Sequence, residues 1–108
     1  MVAATGSSVI GGDGNDFITS SGAIATASLL GGSGNDSLVF ESTVSNSRIE
    51  LGTGQDSVRI TGAVSTTTIL GSTDSASTID LGSTLKSAAS IVGAGGADTI
   101  LIGGASTE

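Results

Sequence analysis

Glycine and aspartate recur together in this chain at intervals of about twenty residues. The segment Gly-Gly-Asp-Gly-Asn-Asp spans 11–16, Gly-Gly-Ser-Gly-Asn-Asp spans 31–36, and Leu-Gly-Thr-Gly-Gln-Asp spans 51–56. Glycine adopts positive φ angles and lets carbonyl oxygens converge, and the final aspartate adds a carboxylate at one fixed point. Oxygens arranged in this way form a cage for a hard cation, and calcium takes six to eight of them at about 2.3 to 2.6 Å.

The fixed period also predicts an architecture. Self-similarity at a short interval is typical of stacked repeats, in which neighbouring coils bury each other's apolar faces. Aliphatic residues recur in the same register, and their alternation with period two predicts strands that face inward. One ladder is Ile18, Leu38, Val58, Ile79 and Ile100, followed two residues later by Ser20, Phe40, Ile60, Leu81 and Ile102. A second ladder is Val9, Leu29, Ile49, Ile69 and Ile91, and a third, bounding the opposite turn, is Ala4, Ile24, Val44, Val64 and Leu85.

We therefore expect residues 1–108 to form one all-β domain, a parallel β-solenoid (a β-roll or β-helix) of about five coils with two strands each. Stacking would bring Asp16, Asp36 and Asp56 into a column, where carboxylates about 5 Å apart repel by roughly 1 to 3 kcal/mol. A cation between the loops reverses that repulsion, so folding is expected to be linked to calcium. The chain begins and ends within the repeat pattern without a polar capping unit, so we expect a piece of a longer array.

The composition argues against several classes of function. Ten acidic residues against three basic ones give a net charge of -7, which argues against a nucleic-acid partner. Cysteine and histidine are absent, which excludes disulfides, the usual zinc sites and thiol or imidazole catalysis. A thin rod without aromatic platforms offers no deep pocket, so we do not expect an enzyme. No stretch approaches the roughly 20 apolar residues of a membrane span.

The segments from Gly11 to Ile18 and from Gly31 to Leu38 resemble the nonapeptide of the repeats-in-toxin (RTX) family. In that family Gly-Gly-x-Gly-x-Asp is followed by any residue, a large apolar residue and any residue. The resemblance implies a right-handed, calcium-dependent β-roll of a secreted bacterial protein, with ions held between coils by glycine-region carbonyls and by the aspartates. Carried over residue by residue, it implies a metal site made of Gly11, Gly12, Asp13, Gly14, Asp16, Gly31, Gly32, Gly34, Asp36, Gly52, Gly54, Asp56 and Asp98.

The chain also departs from the family pattern. The family repeats its nonapeptide on both edges, with about eighteen residues per coil, whereas this chain has one such turn per coil. Leu51 replaces the first glycine of the third copy, and Ala76 stands where the fourth copy, over 71–76, should carry its aspartate. Asp98 recovers the aspartate in the fifth copy but faces that degenerate neighbour. Asp13 lies at the variable position of its motif, which favours a solvated turn residue over a ligand. Two sites between coils are therefore expected, one at the first and second aspartates and one at the second and third.

The expected function is a calcium-binding structural module of a secreted, extracellular or cell-surface protein. Two alternatives stay open. The glycine-rich segments can be good turn formers in a metal-free solenoid. The chain can also be a self-assembly or adhesion module, of the adhesin or surface-layer type, in which uncapped terminal coils join copies into a homo-oligomer.

Overall fold

The chain folds as a β-solenoid. The computed structural model describes residues 4–82, 89–93 and 95–103, and its regular elements within these ranges are all β-strands. Every strand pairing there is parallel, and the strands stack into about four turns of roughly 20 residues each. The predicted all-β parallel solenoid is therefore confirmed.

Each complete coil contributes one strand to each of three sheets. The first sheet has two-residue strands, namely β1 (Ala4–Thr5), β4 (Ile24–Ala25), β7 (Val44–Ser45) and β10 (Val64–Ser65). The second sheet has β2 (Ser8–Asp13), β5 (Ser28–Ser33), β8 (Arg48–Thr53), β11 (Thr68–Ser72) and β13 (Ser90–Val92). The third sheet has β3 (Phe17–Ser20), β6 (Ser37–Phe40), β9 (Ser57–Ile60), β12 (Thr78–Leu81) and β14 (Thr99–Ile102).

The two ladders predicted for the longer strands are confirmed. In the second sheet, direct register partners run from Val9 to Ile91 through all five strands. In the third sheet, they run from Ile18 to Ile100 in the same way. Each of the two longer sheets has five strands, but the described chain makes about four turns, one fewer than the five coils predicted.

The third ladder forms a short sheet of its own at the opposite turn. Ile24 pairs with Ala4 and with Val44, and Val44 in turn pairs with Val64. The predicted last member, Leu85, lies outside the described residues. Each of the first four coils thus carries a two-residue strand in addition to the two strands that the pattern predicted.

The core lies between the sheets and consists of aliphatic side chains with a single aromatic one. Its members come mostly from the predicted ladders, because a strand turns every second side chain to the same face. The largest fully buried side chains are Phe40, Ile24, Leu29, Leu38, Ile49, Leu51, Ile60, Ile69, Ile79, Leu81, Val44 and Val58. Leu51 does not belong to a predicted ladder, since it occupies the first position of the third glycine-rich segment.

The corner between the first and second sheets has a left-handed residue in each of the first four coils. Gly6 has a φ of 59°, and the equivalent Thr26, Asn46 and Thr66 have φ values of 51°, 49° and 48°. Asparagine tolerates this conformation, whereas a β-branched threonine is strained in it. No aspartate lies at this corner in the four coils where the structure describes it, and Asp16, Asp36 and Asp56 lie at the opposite, glycine-rich edge.

Candidate metal centre

The glycine-rich segments stack at the edge where the second sheet leads into the third. Gly32 is the register partner of both Gly12 and Gly52. The strands that follow these turns, β3, β6 and β9, are also paired in register. The remaining turn glycines share positive φ values, 103° at Gly14, 118° at Gly34 and 111° at Gly54. The aspartates that precede the three strands therefore occupy equivalent positions, one coil apart, as predicted.

One oxygen of each buried carboxylate takes part in the hydrogen-bond ladder of the solenoid. The backbone N–H of Asp16 donates to Asp36 Oδ1 at 2.9 Å. The backbone N–H of Asp36 donates in turn to Asp56 Oδ1 at 2.8 Å. Asp36 and Asp56 thus each accept a hydrogen bond from the coil before, so the column is a structural element as well as a set of charges.

The second carboxylate oxygens have no such partner in the first two turns. Two buried side-chain oxygens in the described part of the chain lack any hydrogen bond, Asp16 Oδ2 and Asp36 Oδ2. The Asp36 residue is only 2% exposed. Leaving a buried carboxylate oxygen without a donor costs about 1 to 3 kcal/mol or more. These two oxygens could each accept a hydrogen bond or bind a cation.

In each of the first two turns, a backbone carbonyl oxygen and the unpartnered carboxylate oxygen face the same glycine. A Cβ built on Gly11 would lie 2.5 Å from the Gly31 carbonyl oxygen and 2.7 Å from Asp16 Oδ2. A Cβ built on Gly31 would lie 2.7 Å from Asp36 Oδ2 and would also collide with the Leu51 carbonyl oxygen. A carbonyl and a carboxylate oxygen from adjacent coils therefore gather at each glycine, and a side chain there would displace them.

Electrostatics single out Asp36 among the aspartates. Burial removes its carboxylate from water and raises its pKa above the usual value, and the hydrogen bond from the Asp16 N–H only partly offsets this. The neighbouring carboxylates of Asp56 and Asp16 raise the pKa further, since like charges disfavour ionisation. The ionised column is therefore under repulsion that a cation would relieve.

The other two predicted acidic ligands lie apart from these unpartnered oxygens. Asp13 is exposed on the outer rim of its turn, where the Ser33 hydroxyl donates to Asp13 Oδ1 at 2.8 Å. Asp98 lies in the fifth turn, and its Oδ1 accepts the backbone N–H of Ser77 at 2.8 Å. A Cβ built on Gly93 would collide with Asp98 Oδ2.

The fourth turn differs from the first three. Ser72 is the register partner of Gly52, twenty positions earlier, whereas Thr78 is the partner of Ser57, twenty-one positions earlier. One extra residue therefore lies between them, and the residue equivalent to the aspartates is Ser77. The prediction that Ala76 occupies the aspartate position was wrong by one residue, because the sequence shows an insertion without showing where the turn absorbs it.

Hydroxyl groups complete the column at this turn. The Ser72 hydroxyl donates to Asp56 Oδ2 at 2.6 Å, and the Ser77 hydroxyl donates to Ser72 Oγ at 2.6 Å. The Ser72 N–H donates to Ser77 Oγ at 2.7 Å. All three residues are buried, with 3%, 0% and 2% exposure for Asp56, Ser72 and Ser77. The serine pair was missed in the sequence, where the only signal was a serine in place of the second turn glycine.

The carboxylates alone do not form a metal site. Within the ranges 4–82, 89–93 and 95–103, no group of three or more Asp, Glu, His or Cys side chains converges on one point. Any bound cation would therefore need the backbone carbonyl oxygens that gather at the turn glycines, which is the type of ligand that calcium accepts.

Comparison with known proteins finds no match for this chain among family models, curated proteins or solved structures. The resemblance to the RTX family therefore rests on the two glycine-rich segments alone. Among the described residues, no helix has the length and apolarity needed to span a membrane.

Proposed function

We propose that this chain is a calcium-binding structural repeat module whose ions lie at the first two junctions between coils. The observation that carries the proposal is the buried Oδ2 of Asp36, which has no hydrogen-bond partner in a residue that is 2% exposed. Asp16 Oδ2 repeats the arrangement one coil earlier. Two equivalent unpartnered oxygens at a constant spacing favour a repeated ligand over an isolated packing defect.

The neighbouring atoms favour calcium over other cations. The available donors are carboxylate and carbonyl oxygens, from Asp16 with Gly31 and from Asp36 with Leu51. Histidine and cysteine, which would favour transition metals, are absent from the chain. Calcium accepts irregular sets of oxygen ligands, whereas magnesium demands near-ideal octahedral geometry.

Calcium binding would stabilise the fold through linkage. The paired oxygens come from different coils, so the unfolded chain does not hold the site. A ligand that binds only the folded state stabilises it by about 2.7 kcal/mol at 100 times its dissociation constant. Calcium would also reduce the repulsion among the three aspartates of the column, so its effect should exceed that of an ion on an isolated surface carboxylate.

The resemblance to the RTX family supports an extracellular setting for this linkage. A chain that folds on binding calcium would stay loose where free calcium is scarce and would order where the ion is abundant. In this proposal the module is part of a secreted or cell-surface bacterial protein.

A second candidate function is self-association through sheet edges. All four residues of β14, Thr99–Ile102, are exposed, and Ile100, Leu101 and Ile102 are 42%, 51% and 44% exposed. An apolar edge strand is a template for pairing with another chain. Light scattering with and without calcium separates the candidates, since a pure spacer stays monomeric at every protein concentration and an assembly module grows.

The calcium proposal is tested by thermal unfolding and isothermal titration of the wild type and of Asp36→Asn. Asparagine keeps an acceptor for the Asp16 N–H but removes the charge. We expect calcium to raise the wild-type melting temperature, and we expect Asp36→Asn to lose most of that increase while melting higher than the wild type in chelator. Glu41→Gln, which removes one exposed carboxylate, is the matched control and should follow the wild type.

A wild-type protein that melts at the same temperature in calcium and in chelator, and that takes up no ion in the titration, would contradict the proposal. Equal responses of Asp36→Asn and Glu41→Gln would show that calcium acts only as general screening of the -7 net charge.

A further inference from the structure

The end of the aspartate column holds a buried hydroxyl pair in place of unpartnered oxygens. Asp56 belongs to the same column as Asp36 and accepts the equivalent backbone hydrogen bond on Oδ1. Its Oδ2, however, accepts the Ser72 hydroxyl at 2.6 Å. Both oxygens of this carboxylate are therefore satisfied by the protein, although the residue is as deeply buried as Asp36.

The serine pair is itself fully hydrogen-bonded. The Ser77 hydroxyl donates to Ser72 Oγ, and Ser77 Oγ accepts the Ser72 N–H at 2.7 Å. The Ser72 hydroxyl is thereby oriented to donate onward to Asp56. A buried network in which every member has its partners is rigid, and it leaves no oxygen directed toward a ligand.

The third turn also lacks the glycine that the first two use. The first position of the segment is glycine at Gly11 and Gly31, where a Cβ would collide with the aspartate and carbonyl oxygens. The third segment has Leu51 there, and its side chain is completely buried in the core. The space in which a carbonyl and a carboxylate oxygen gather in the first two turns is thus occupied by a side chain in the third.

We infer that Ser72 and Ser77 end the series of cation sites along the aspartate column, because their hydroxyl groups take the place of an ion at the Asp56 carboxylate. This inference rests on the proposed function for the ions at Asp16 and Asp36. It limits the first four turns to two ions and makes the third and fourth coils independent of calcium. The hydroxyl pair acts as a positioning element, since it fixes the Asp56 carboxylate without itself binding metal.

The test compares Ser72→Ala with Ser75→Ala. Ser75 lies in the same turn and is half-buried, and no hydrogen bond of its side chain is seen in the described residues, which makes it the matched control. Ser72→Ala leaves Asp56 Oδ2 without a donor, so its melting temperature in chelator should fall by on the order of 5 °C or more relative to Ser75→Ala. Titration of Ser72→Ala should still show the wild-type number of ions.

A second variant, Asp56→Asn, keeps the inference testable if Ser72→Ala unfolds. Asparagine has the same shape and can bond to the serine pair through its amide, so the folded variant, checked by far-UV circular dichroism, should bind as many ions as the wild type. Asp36→Asn should bind at least one ion fewer.

The inference is overturned if Asp56→Asn or folded Ser72→Ala loses an ion, because the hydroxyl and carboxylate oxygens would then be ligands. It is equally overturned if Ser72→Ala and Ser75→Ala melt together in chelator. A wild-type protein that binds no calcium would contradict both the proposed function and the inference that the serine pair ends the series of ions. The melting temperatures of Ser72→Ala and Ser75→Ala in chelator would still decide whether the serine pair stabilises Asp56.

Discussion

Asp36 and Asp56 lie one coil apart in the same column and are buried to nearly the same degree, with 2% and 3% exposure, but their environments differ. Asp36 keeps one oxygen without any hydrogen-bond partner, whereas the same oxygen of Asp56 accepts a serine hydroxyl. In a stacked repeat, a buried carboxylate oxygen can thus accept a hydrogen bond from a side chain of the next coil, or it can remain available to a ligand. If the proposed function holds, the difference separates a region that depends on a cation from one that does not.

The physical origin of the difference is a single inserted residue. In the first three turns the second position is glycine with φ between 101° and 120°, as at Gly32 and Gly52. In the longer fourth turn the equivalent residue, Ser72, does not have a positive φ. A side chain becomes possible at that position, and the turn directs it inward to the column.

The largest effect is expected from placing the fourth-turn residue into the second turn. In Gly32→Ser the new Cβ would collide with the Gly12 carbonyl oxygen, at a φ of 120° that only glycine adopts readily. We expect a loss of roughly 3 kcal/mol or more in the free energy of unfolding. Chemical denaturation measures it.

Gly82→Ser is the control for this substitution, because among the described residues a Cβ there would make ordinary contacts of 3.7 and 3.8 Å. Its cost should stay below about 1 kcal/mol. If Gly32→Ser were as mild as Gly82→Ser, the two turns would be interchangeable and the proposed distinction between them would lose its basis.

A smaller effect is expected from pH. Because the pKa of Asp36 is raised in the folded state by burial and by its neighbours, the folded chain binds more protons than the unfolded chain between the two pKa values. In chelator, the contribution of Asp36 to stability should therefore fall as pH rises from its usual pKa, about 3.9, through the raised one. In calcium the trend should reverse, since protons then compete with the ion.

The pH effect is measured as the difference in unfolding free energy between the wild type and Asp36→Asn at each pH, which removes the contribution of the other carboxylates. If this difference stays constant across the pH range in chelator, the pKa of Asp36 is not raised in the folded state and the carboxylates of the column do not repel one another as proposed.

The smallest effect is expected on the outer rim of the fourth turn. Asp74 Oδ1 accepts the exposed N–H of Gly54 at 2.9 Å, so Asp74→Ala should cost about 0.5 to 1 kcal/mol. Asp74→Asn keeps the acceptor and should be neutral both for denaturant stability and for calcium affinity. Reduced calcium affinity in Asp74→Asn would extend the ion-binding region into the fourth turn and would contradict the proposed difference between that turn and the first two.

The solenoid could be predicted because the repeat period persists along most of the chain and because its core positions hold few types of residue. The ladders from Val9 and Ile18 hold for five strands, and equivalent side chains must stack when coils have equal length. The two-residue strands at Ile24 and Val44 were too short for the period-two pattern to reveal. They appeared in the sequence only as apolar positions at a turn.

The candidate site could be predicted only in part. The aspartate column follows from the period, and stacking confirms it. Whether each carboxylate oxygen has a donor depends on neighbours in the adjacent coil, which spacing does not show. Ser77 could not be recognised as the equivalent of Asp56, because the inserted residue can be placed at several points of the turn and only the register of β12 decides among them.

A crystal structure of the protein grown with calcium tests the central claim most directly. We predict ions at two junctions, one bound by Asp16 Oδ2 and the other by Asp36 Oδ2, each at about 2.3 to 2.6 Å. Asp56 should keep its hydrogen bond to Ser72 and should bind no ion. Calcium-free carboxylates at Asp16 and Asp36, or an ion at Asp56 with the serine displaced, would contradict the account.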